Sequence, residues 1–111
     1  MALQSKHCEP CKGGEDPMGN EEENQMISQI ENWSLERDGE HHIHKGFKFN
    51  DFKQAMKFVN KVADLANEEA HHPDLCISYN QVDVTLFTHK IGGLHENDFI
   101  MASKIDHISG V

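Results

Sequence analysis

A regular apolar stripe in the middle of the chain most restricts the folds that this sequence can adopt. Apolar residues recur there at intervals of three and four positions: Phe52, Ala55, Met56, Val59, Val62, Ala63 and Ala66. Such a stripe has about the width of a helix face that packs on a core. Asp51 and Gln54 have the spacing of a capping box, which marks a helix start. The sequence therefore predicts one long amphipathic helix whose methionine and phenylalanine side chains lie in the core.

The predicted helix ends in an acidic and histidine-rich turn, Glu68-Glu69-Ala70-His71-His72-Pro73-Asp74. Carboxylates are disfavoured at the negative end of a helix dipole, so the two glutamates conflict with the local rule. Pro73 is expected to stop the helix, because the residue before a proline is pushed out of the αR region. Two imidazoles on a stiff turn beside acidic groups would suit a general acid or base. A polar helix end whose histidines cap carbonyls is the alternative.

The segments on both sides of this helix predict strands and two further helices. Apolar spacing favours helices over residues 22–32 and 95–108, with Asp98 in the first turn of the latter. Alternation favours strands over residues 33–36, 41–49, 75–79 and 82–89, and Asp38-Gly39 is a hairpin signal. This order is typical of an α+β fold, a four-stranded antiparallel sheet with three helices packed on one face. His89 is expected to end the last strand, on the face away from the aliphatic row.

Charge and length exclude several classes of protein. The 111 residues carry 10 basic and 19 acidic side chains, a net charge of −9, which disfavours direct contact with nucleic acid and with anionic membranes. No stretch has the length of a membrane span or the pattern of a secretory signal, so a cytoplasmic, or cytoplasmic and nuclear, location is expected. The length suits one domain. We place it at residues 25–111, behind an acidic lead-in with glycine and proline at residues 1–24.

Cysteine and histidine pairs raise the alternative of a metal-binding module. The lead-in has the two-residue gap of a zinc knuckle in His7, Cys8 and Cys11. No second pair follows at finger-like spacing, which a structural zinc site needs. His42 and His44 would share one strand face, but a solvated face explains them as well. We therefore expect no metal ligands in this chain, and thiols rather than disulfides.

A set of residues in the second half of the chain carries a resemblance to a known family. The set comprises His71-His72-Pro73, Tyr79-Asn80, Val82, Thr85-Leu86, Thr88-His89, Gly93-Leu94 and Asp98. In this order and spacing it closely resembles the pterin-4a-carbinolamine dehydratases. The resemblance runs from about residue 33 to the C-terminus. The lead-in, with Cys8, Cys11 and two glycines, resembles that of many microbial members.

This resemblance implies an enzyme without cofactor or metal that forms homodimers or homotetramers. The implied reaction removes water from a 4a-hydroxytetrahydropterin to give the quinonoid dihydropterin, the step that recycles tetrahydrobiopterin after aromatic amino acid hydroxylation. The family's histidine triad carries over to His71, His72 and His89 as catalytic residues. Substrate-binding roles are implied for four other motif residues: Pro73, Tyr79, Thr88 and Asp98.

The implied reaction agrees with the chemistry of these side chains. Loss of the 4a-hydroxyl requires a proton delivered to the leaving oxygen and another removed from the pterin N5. Histidine is the side chain that titrates near neutral pH, so we expect His71 and His89 to be the acid and the base, in either order. His72 would orient the pterin, and Asp98 would hold a histidine or the loop. The alternative is a non-catalytic interaction protein or transcriptional coactivator, since some members bind a homeodomain transcription factor.

Three positions depart from the family pattern. Asn67 stands four positions before the first histidine, where many members have an acidic residue. Leu75 replaces an aromatic residue, which weakens a stacking contact with the pterin. His95 replaces a helix-capping serine or threonine and is a poor substitute for that hydroxyl.

Overall fold

The computed structural model describes residues 3–9 and 16–109. Its three helices are α1 (Asn20–Ile27), α2 (Phe52–Glu69) and α3 (Glu96–Ser109). The four strands are β1 (Ser34–Glu36), β2 (His42–Lys48), β3 (Asp74–Ser78) and β4 (Gln81–Leu86). Short 3-10 turns lie at Leu3–Ser5 and His89–Ile91. The predicted α+β class and the predicted order of helices and strands are confirmed.

The sheet brings together the two parts of the chain that carry the predicted catalytic histidines. Its strand order is β1-β2-β4-β3, and every neighbouring pair is antiparallel. Asp74, at the start of β3, is opposite Thr85, near the end of β4. The segment before β3 and the segment after β4 therefore emerge at the same end of the sheet. His71 and His72 belong to the first segment, and His89 belongs to the second.

The core lies between the sheet and helices α2 and α3. Alternate residues of the central strands are buried on the helix side: Ile43, Phe47, Val82, Val84 and Leu86. Helix α2 covers them with a face that is rotated from the predicted stripe: Ala55, Phe58, Val62 and Ala66. Phe58 is 3% exposed and its ring centroid lies 4.8 Å from that of Phe47. Phe52, which was predicted to be core, is instead 49% exposed.

Helix α2 begins as predicted and ends differently. The Asp51 side chain accepts a hydrogen bond of 2.9 Å from the Gln54 backbone N–H, which confirms the cap. The helix stops at Glu69 because Ala70 adopts a left-handed conformation, with φ 55° and ψ 36°. The prediction that Pro73 stops the helix was therefore wrong, since Ala70 ends it earlier. The two histidines lie in the connection that follows the helix.

Strand β4 also ends earlier than predicted. It stops at Leu86, and a tight loop follows in which Thr88 and Gly93 form an antiparallel bridge. The Thr88 N–H donates to the Gly93 carbonyl over 2.8 Å, and His89 begins the 3-10 turn inside this loop. The predicted position of His89 on a strand face was therefore wrong, because local turn hydrogen bonds replace the sheet ladder there.

The lead-in contributes to the packed structure. Leu3 is 7% exposed, and its turn contacts α3. Lys6 Nζ forms an ion pair of 2.9 Å with Glu96. The proposed domain boundary after residue 24 stays a prediction. No helix in the described ranges combines the length and the apolar character needed to cross a membrane.

Candidate active site

A buried carboxylate organises the histidine-containing end of the sheet. Asp98 lies in the first turn of α3 and is fully buried. His71 Nε2 lies 2.6 Å from Asp98 Oδ1. The second oxygen, Oδ2, accepts from the Thr88 hydroxyl over 2.8 Å and from the His95 backbone N–H over 3.0 Å. Asp98 therefore joins the α2–β3 connection, the loop after β4 and the start of α3.

His71 is held in one tautomer by this contact. An ionised carboxylate only accepts hydrogen bonds, so His71 Nε2 carries the donated proton and Nδ1 keeps its lone pair. The side chain of His71 is 12% exposed, whereas that of Asp98 is fully buried. The arrangement can therefore stabilise a proton taken up at Nδ1 of this ring.

His72 and His89 are less constrained. His72 Nε2 donates to the Asn67 side-chain oxygen over 3.1 Å, so the Asn67 amide orients the second histidine. The side chain of His89 is 85% exposed, and its Nδ1 lies 3.7 Å from Glu40 Oε2. The Phe87 ring packs edge-on against it at a centroid distance of 5.9 Å.

The three histidines border one open cavity of about 320 Å³. Its lining consists of Glu9, Ala70, His71, His72, Phe87, Thr88, His89, Lys90 and Asn97. This size is near the lower end of the range for small-molecule sites and suits a bicyclic ligand. The structure thus brings together four residues of the predicted site: His71, His72, Thr88 and His89. Asp98 supports them from behind through His71 and Thr88.

Two predicted substrate-binding residues do not line this cavity. Pro73 directly precedes β3 and is half-buried. Tyr79 lies in the β3–β4 turn with φ 50° and is 66% exposed. Since Ser78 pairs with Gln81 at that turn while Asp74 pairs with Thr85 near the histidines, Tyr79 is at the opposite end of the hairpin.

Several cavity residues were missing from the predicted site. Lys90 could have been suspected from its place beside His89, and Phe87 from its place two residues before it. Glu9 and Asn97 gave no such signal, because they are 88 positions apart and meet only in the folded chain. The Glu9 N–H donates to Asn97 Oδ1 over 3.0 Å, and Asn97 Nδ2 donates to the Glu9 carbonyl over 2.6 Å.

A second buried carboxylate anchors the lead-in beside this cavity. Glu69 Oε1 accepts from the Cys8 N–H over 2.7 Å, and Oε2 lies 2.9 Å from His7 Nδ1. Burial acts to raise the pKa of Glu69, but these hydrogen bonds and the nearby Lys104 charge bring that pKa below its ordinary value. Glu69 thus contacts the lead-in, and the side chain that contacts the histidine pair from α2 is the neutral amide of Asn67.

Cys8 is a partly buried free thiol. Burial raises its pKa to about 12, and the negative charges of Glu69 and Asp98 act in the same direction. Cys11, its proposed zinc-knuckle partner, lies outside the described residues. Within the described ranges no three His, Cys, Asp or Glu side chains are grouped as metal ligands would be.

The chain is similar to known proteins along most of its length. The family model for pterin 4 alpha carbinolamine dehydratase matches residues 16–108. A protein of Rubrobacter xylanophilus, provisionally named a pterin-4-alpha-carbinolamine dehydratase, is 43% identical over 106 residues, which cover 96% of this chain and 97% of that protein. A protein of Halorhodospira halophila with the same name is 47% identical over 106 residues, which are 96% of each chain.

Two solved structures are similar to this chain. A crystal structure described as a transcriptional coactivator/pterin dehydratase from Brucella melitensis matches with a TM-score of 0.80 and 36% identity, over 86% of this chain and 100% of that chain. A pterin dehydratase-like protein described as a RuBisCO assembly factor in the alpha-carboxysome has a TM-score of 0.61 at 23% identity, which supports the fold alone. The chain belongs to the pterin 4 alpha carbinolamine dehydratase family, a family of hydro-lyases, as its motif residues predicted.

Proposed function

We propose that this protein dehydrates a 4a-hydroxytetrahydropterin to the quinonoid dihydropterin, and that histidine side chains supply the acid and the base. The observation that carries this proposal is the 2.6 Å contact between His71 and the buried Asp98, on a cavity that His72 and His89 also line. The proposed role in the cell is recycling of tetrahydrobiopterin. This substrate is the one that the names of the full-length relatives indicate.

The reaction requires two proton transfers and no change in oxidation state overall. The N5–H proton is removed, the C4a–O bond breaks as its oxygen is protonated, and a C4a=N5 double bond forms while water leaves. The enzyme therefore needs a base that reaches the N5–H and an acid that reaches the oxygen on the neighbouring C4a, and both have to work near neutral pH. Histidines from two different loops that line one cavity can meet this requirement.

His71 is the proposed base that takes the N5 proton. Its Nε2 proton is donated to Asp98, so Nδ1 is the ring nitrogen left to accept a proton. The buried carboxylate then stabilises the imidazolium that forms, as the aspartate does in a catalytic triad. Thr88 and the His95 N–H hold that carboxylate in place from its other oxygen.

His89 is the proposed acid that protonates the leaving oxygen. Its side chain is 85% exposed, so the ring can recover a proton from water after each turnover. The Phe87 ring beside it and the Glu40 carboxylate at 3.7 Å restrict its orientation. His72, held by Asn67, is proposed to orient the pterin.

The experiment is a rapid-mixing measurement of 4a-hydroxytetrahydropterin dehydration with a chelator present. We expect His71→Ala and His89→Ala each to lower the catalysed rate by about 10²–10⁴-fold, the usual contribution of a positioned acid or base. His44→Ala is the matched control, because His44 is a partly exposed strand histidine paired with Glu36 and does not line the cavity. Unchanged turnover in both His71→Ala and His89→Ala would remove these two residues from the mechanism.

A role in protein association is the second candidate. The large apolar residues Phe52, Ile77 and Tyr79 are 49%, 40% and 66% exposed. They lie at one end of the fold, where the Phe49 N–H donates to the Asn80 carbonyl over 2.7 Å. Exposed apolar clusters of this kind suit contact with another protein, first of all the proposed homodimer or homotetramer. If Tyr79 binds substrate, a second copy of the chain has to bring it to the cavity.

Sedimentation velocity of the unmodified protein and of a Phe52→Ser, Ile77→Ser double variant tests this candidate. We expect an oligomer that dissociates at higher concentration in the variant than in the unmodified protein. The same assembly state in both proteins would exclude this surface as the interface. A similar protein is described as a transcriptional coactivator/pterin dehydratase. A different protein is therefore the next binding partner to test for this surface.

A further inference from the structure

One wall of the histidine cavity comes from the lead-in and not from the sheet or the helices. Glu9 lines the cavity and is exposed. Its backbone is held on both sides by the side chain of Asn97, which accepts from the Glu9 N–H over 3.0 Å and donates to the Glu9 carbonyl over 2.6 Å. The Glu9 main chain is therefore fixed at the edge of the site, with a carboxylate attached.

The residues that fix Glu9 are themselves well anchored. Asn97 is 2% exposed, and its own N–H donates to His95 Nδ1 over 3.0 Å. One residue before Glu9, the Cys8 N–H donates to the buried Glu69 over 2.7 Å. Two buried side chains thus secure consecutive residues of the lead-in. A solvated tail does not require two such anchors. A ligand-binding residue benefits from them, because a side chain whose backbone is already fixed loses less conformational entropy when its ligand binds.

The cavity offers few other side chains that could accept a pair of hydrogen bonds. The Thr88 hydroxyl, which donates to Asp98, has a single oxygen and cannot accept two parallel hydrogen bonds. The one acceptor oxygen of the Asn97 side chain already accepts from the Glu9 N–H. Lys90 can only donate. Of the side chains that line the cavity in the described part of the chain, Glu9 carries the one carboxylate.

The pterin ring presents the complementary group. Its pyrimidine edge carries two parallel donors, the 2-amino N–H and the N3–H, which match the two oxygens of a carboxylate as a guanidinium does. On this basis, and resting on the proposed function above, we infer that Glu9 is the specificity-determining residue that binds the 2-amino and N3–H edge of the pterin. C4a lies across the pyrimidine ring from C2, so this contact turns the reacting edge away from Glu9 and toward the histidines.

Paired ligands test this assignment without relying on turnover. The affinities of a stable 6-substituted pterin and of its 2-oxo analogue, which replaces the 2-amino donor with an acceptor, are measured by fluorescence titration. The proteins are the unmodified chain, Glu9→Gln, and Glu21→Gln, an equal change of charge at an exposed residue of α1. Dehydration rates of the same proteins are measured in parallel.

We expect the unmodified protein and Glu21→Gln to prefer the pterin. In Glu9→Gln the Kd for the pterin should rise about tenfold, as for a partly exposed charge-assisted pair, while the Kd for the 2-oxo analogue changes little. In turnover the loss should fall mainly on KM. An unchanged preference in Glu9→Gln, or an equal loss for both ligands, would overturn the assignment. An unmodified protein that binds neither ligand would instead overturn the proposed pterin substrate, and this inference with it.

Discussion

Asp98 Oδ1 lies 2.6 Å from His71 Nε2, which ties the first turn of α3 to the connection that follows α2. The other carboxylate oxygen holds Thr88, which directly precedes His89 in the loop after β4. One buried residue therefore sets the separation between two proposed proton-transfer groups. Both the position of His71 and its tautomer depend on that residue accepting hydrogen bonds.

Replacing this acceptor should reduce catalysis more than it disturbs the fold. Asp98→Asn keeps the size of the side chain, but it replaces one acceptor oxygen with an NH2 group that can only donate. It also removes the negative charge that stabilises the His71 imidazolium. We expect kcat to fall by about 10²-fold or more, with a smaller change in KM. Rapid-mixing absorbance of the dehydration reaction measures both quantities.

Asp106→Asn provides the control on the same helix. Asp106 accepts from Trp33 Nε1 over 3.0 Å and from Lys45 Nζ over 2.8 Å, at a place that does not line the histidine cavity. We expect this variant to be less stable to denaturant while its folded fraction keeps kcat within about twofold, because the hydrogen bond from Trp33 and the ion pair with Lys45 are weakened away from the site. Equal losses of kcat in both variants would show that Asp98 acts through stability alone.

Ala70→Gly should stabilise the protein. Ala70 ends α2 with φ 55°, a left-handed conformation that costs a residue with a Cβ about 1–2 kcal/mol. Glycine removes that cost, but it also raises the conformational entropy of the unfolded protein, which offsets part of the gain. We therefore expect the unfolding free energy to rise by about 0.5–1 kcal/mol. Urea denaturation measures it. Ala63→Gly, at an exposed position inside the same helix, should lower the unfolding free energy by about 1 kcal/mol. A loss in both variants would contradict the strain at residue 70.

The anchoring of the lead-in should weaken in acid. Although burial opposes it, hydrogen bonds from the Cys8 N–H and His7 bring the folded-state pKa of Glu69 below its ordinary value of 4.5. Because the folded-state pKa is lowered, the Glu69 carboxylate contributes its full stabilisation at pH values above the ordinary pKa. This contribution is lost as the pH falls through the folded-state pKa. Glu69→Gln should therefore cost about 1–2 kcal/mol at pH 7.

Denaturation curves at pH 7 and at successive values below 4.5 measure this loss for the unmodified protein and for Glu69→Gln. The difference in unfolding free energy between them should narrow as the pH falls. Glu68→Gln changes the same charge at the exposed neighbouring position and should show a small difference throughout. A gap between Glu69→Gln and the unmodified protein that is constant with pH would exclude the Glu69 carboxylate as its source.

Thiol alkylation should separate Cys8 from Cys76. The pKa of Cys8 is raised to about 12, chiefly by burial, so almost no thiolate is present at pH 8. Cys76 is exposed on β3. Peptide mass spectrometry after iodoacetamide treatment should find Cys76 modified at least tenfold faster than Cys8 in the folded protein. Similar rates in the native state would contradict the partial burial and the raised pKa of Cys8, whereas similar rates in urea are expected.

Local patterns predicted the elements well and their ends less well. The capping pair Asp51 and Gln54 located the start of α2, because a cap is made within four consecutive residues. The end of α2 was misplaced, since nothing in the sequence marks alanine for a left-handed conformation. His89 was assigned to a strand because alternation continues past Leu86, and the Thr88–Gly93 bridge that ends β4 is not visible in that pattern.

The sequence by itself determined the α+β class, the order of the elements and the family, because periodicity, turn chemistry and motif spacing are properties of neighbouring residues. It also identified the histidines and Asp98, through their motif. Only the tertiary structure decided that Asp98 contacts His71, that Asn67 accepts a hydrogen bond from His72, and that Glu9 lines the histidine cavity. These contacts join segments far apart in the chain, and their partners are selected by packing and by the need to pair buried polar groups, which no local pattern records.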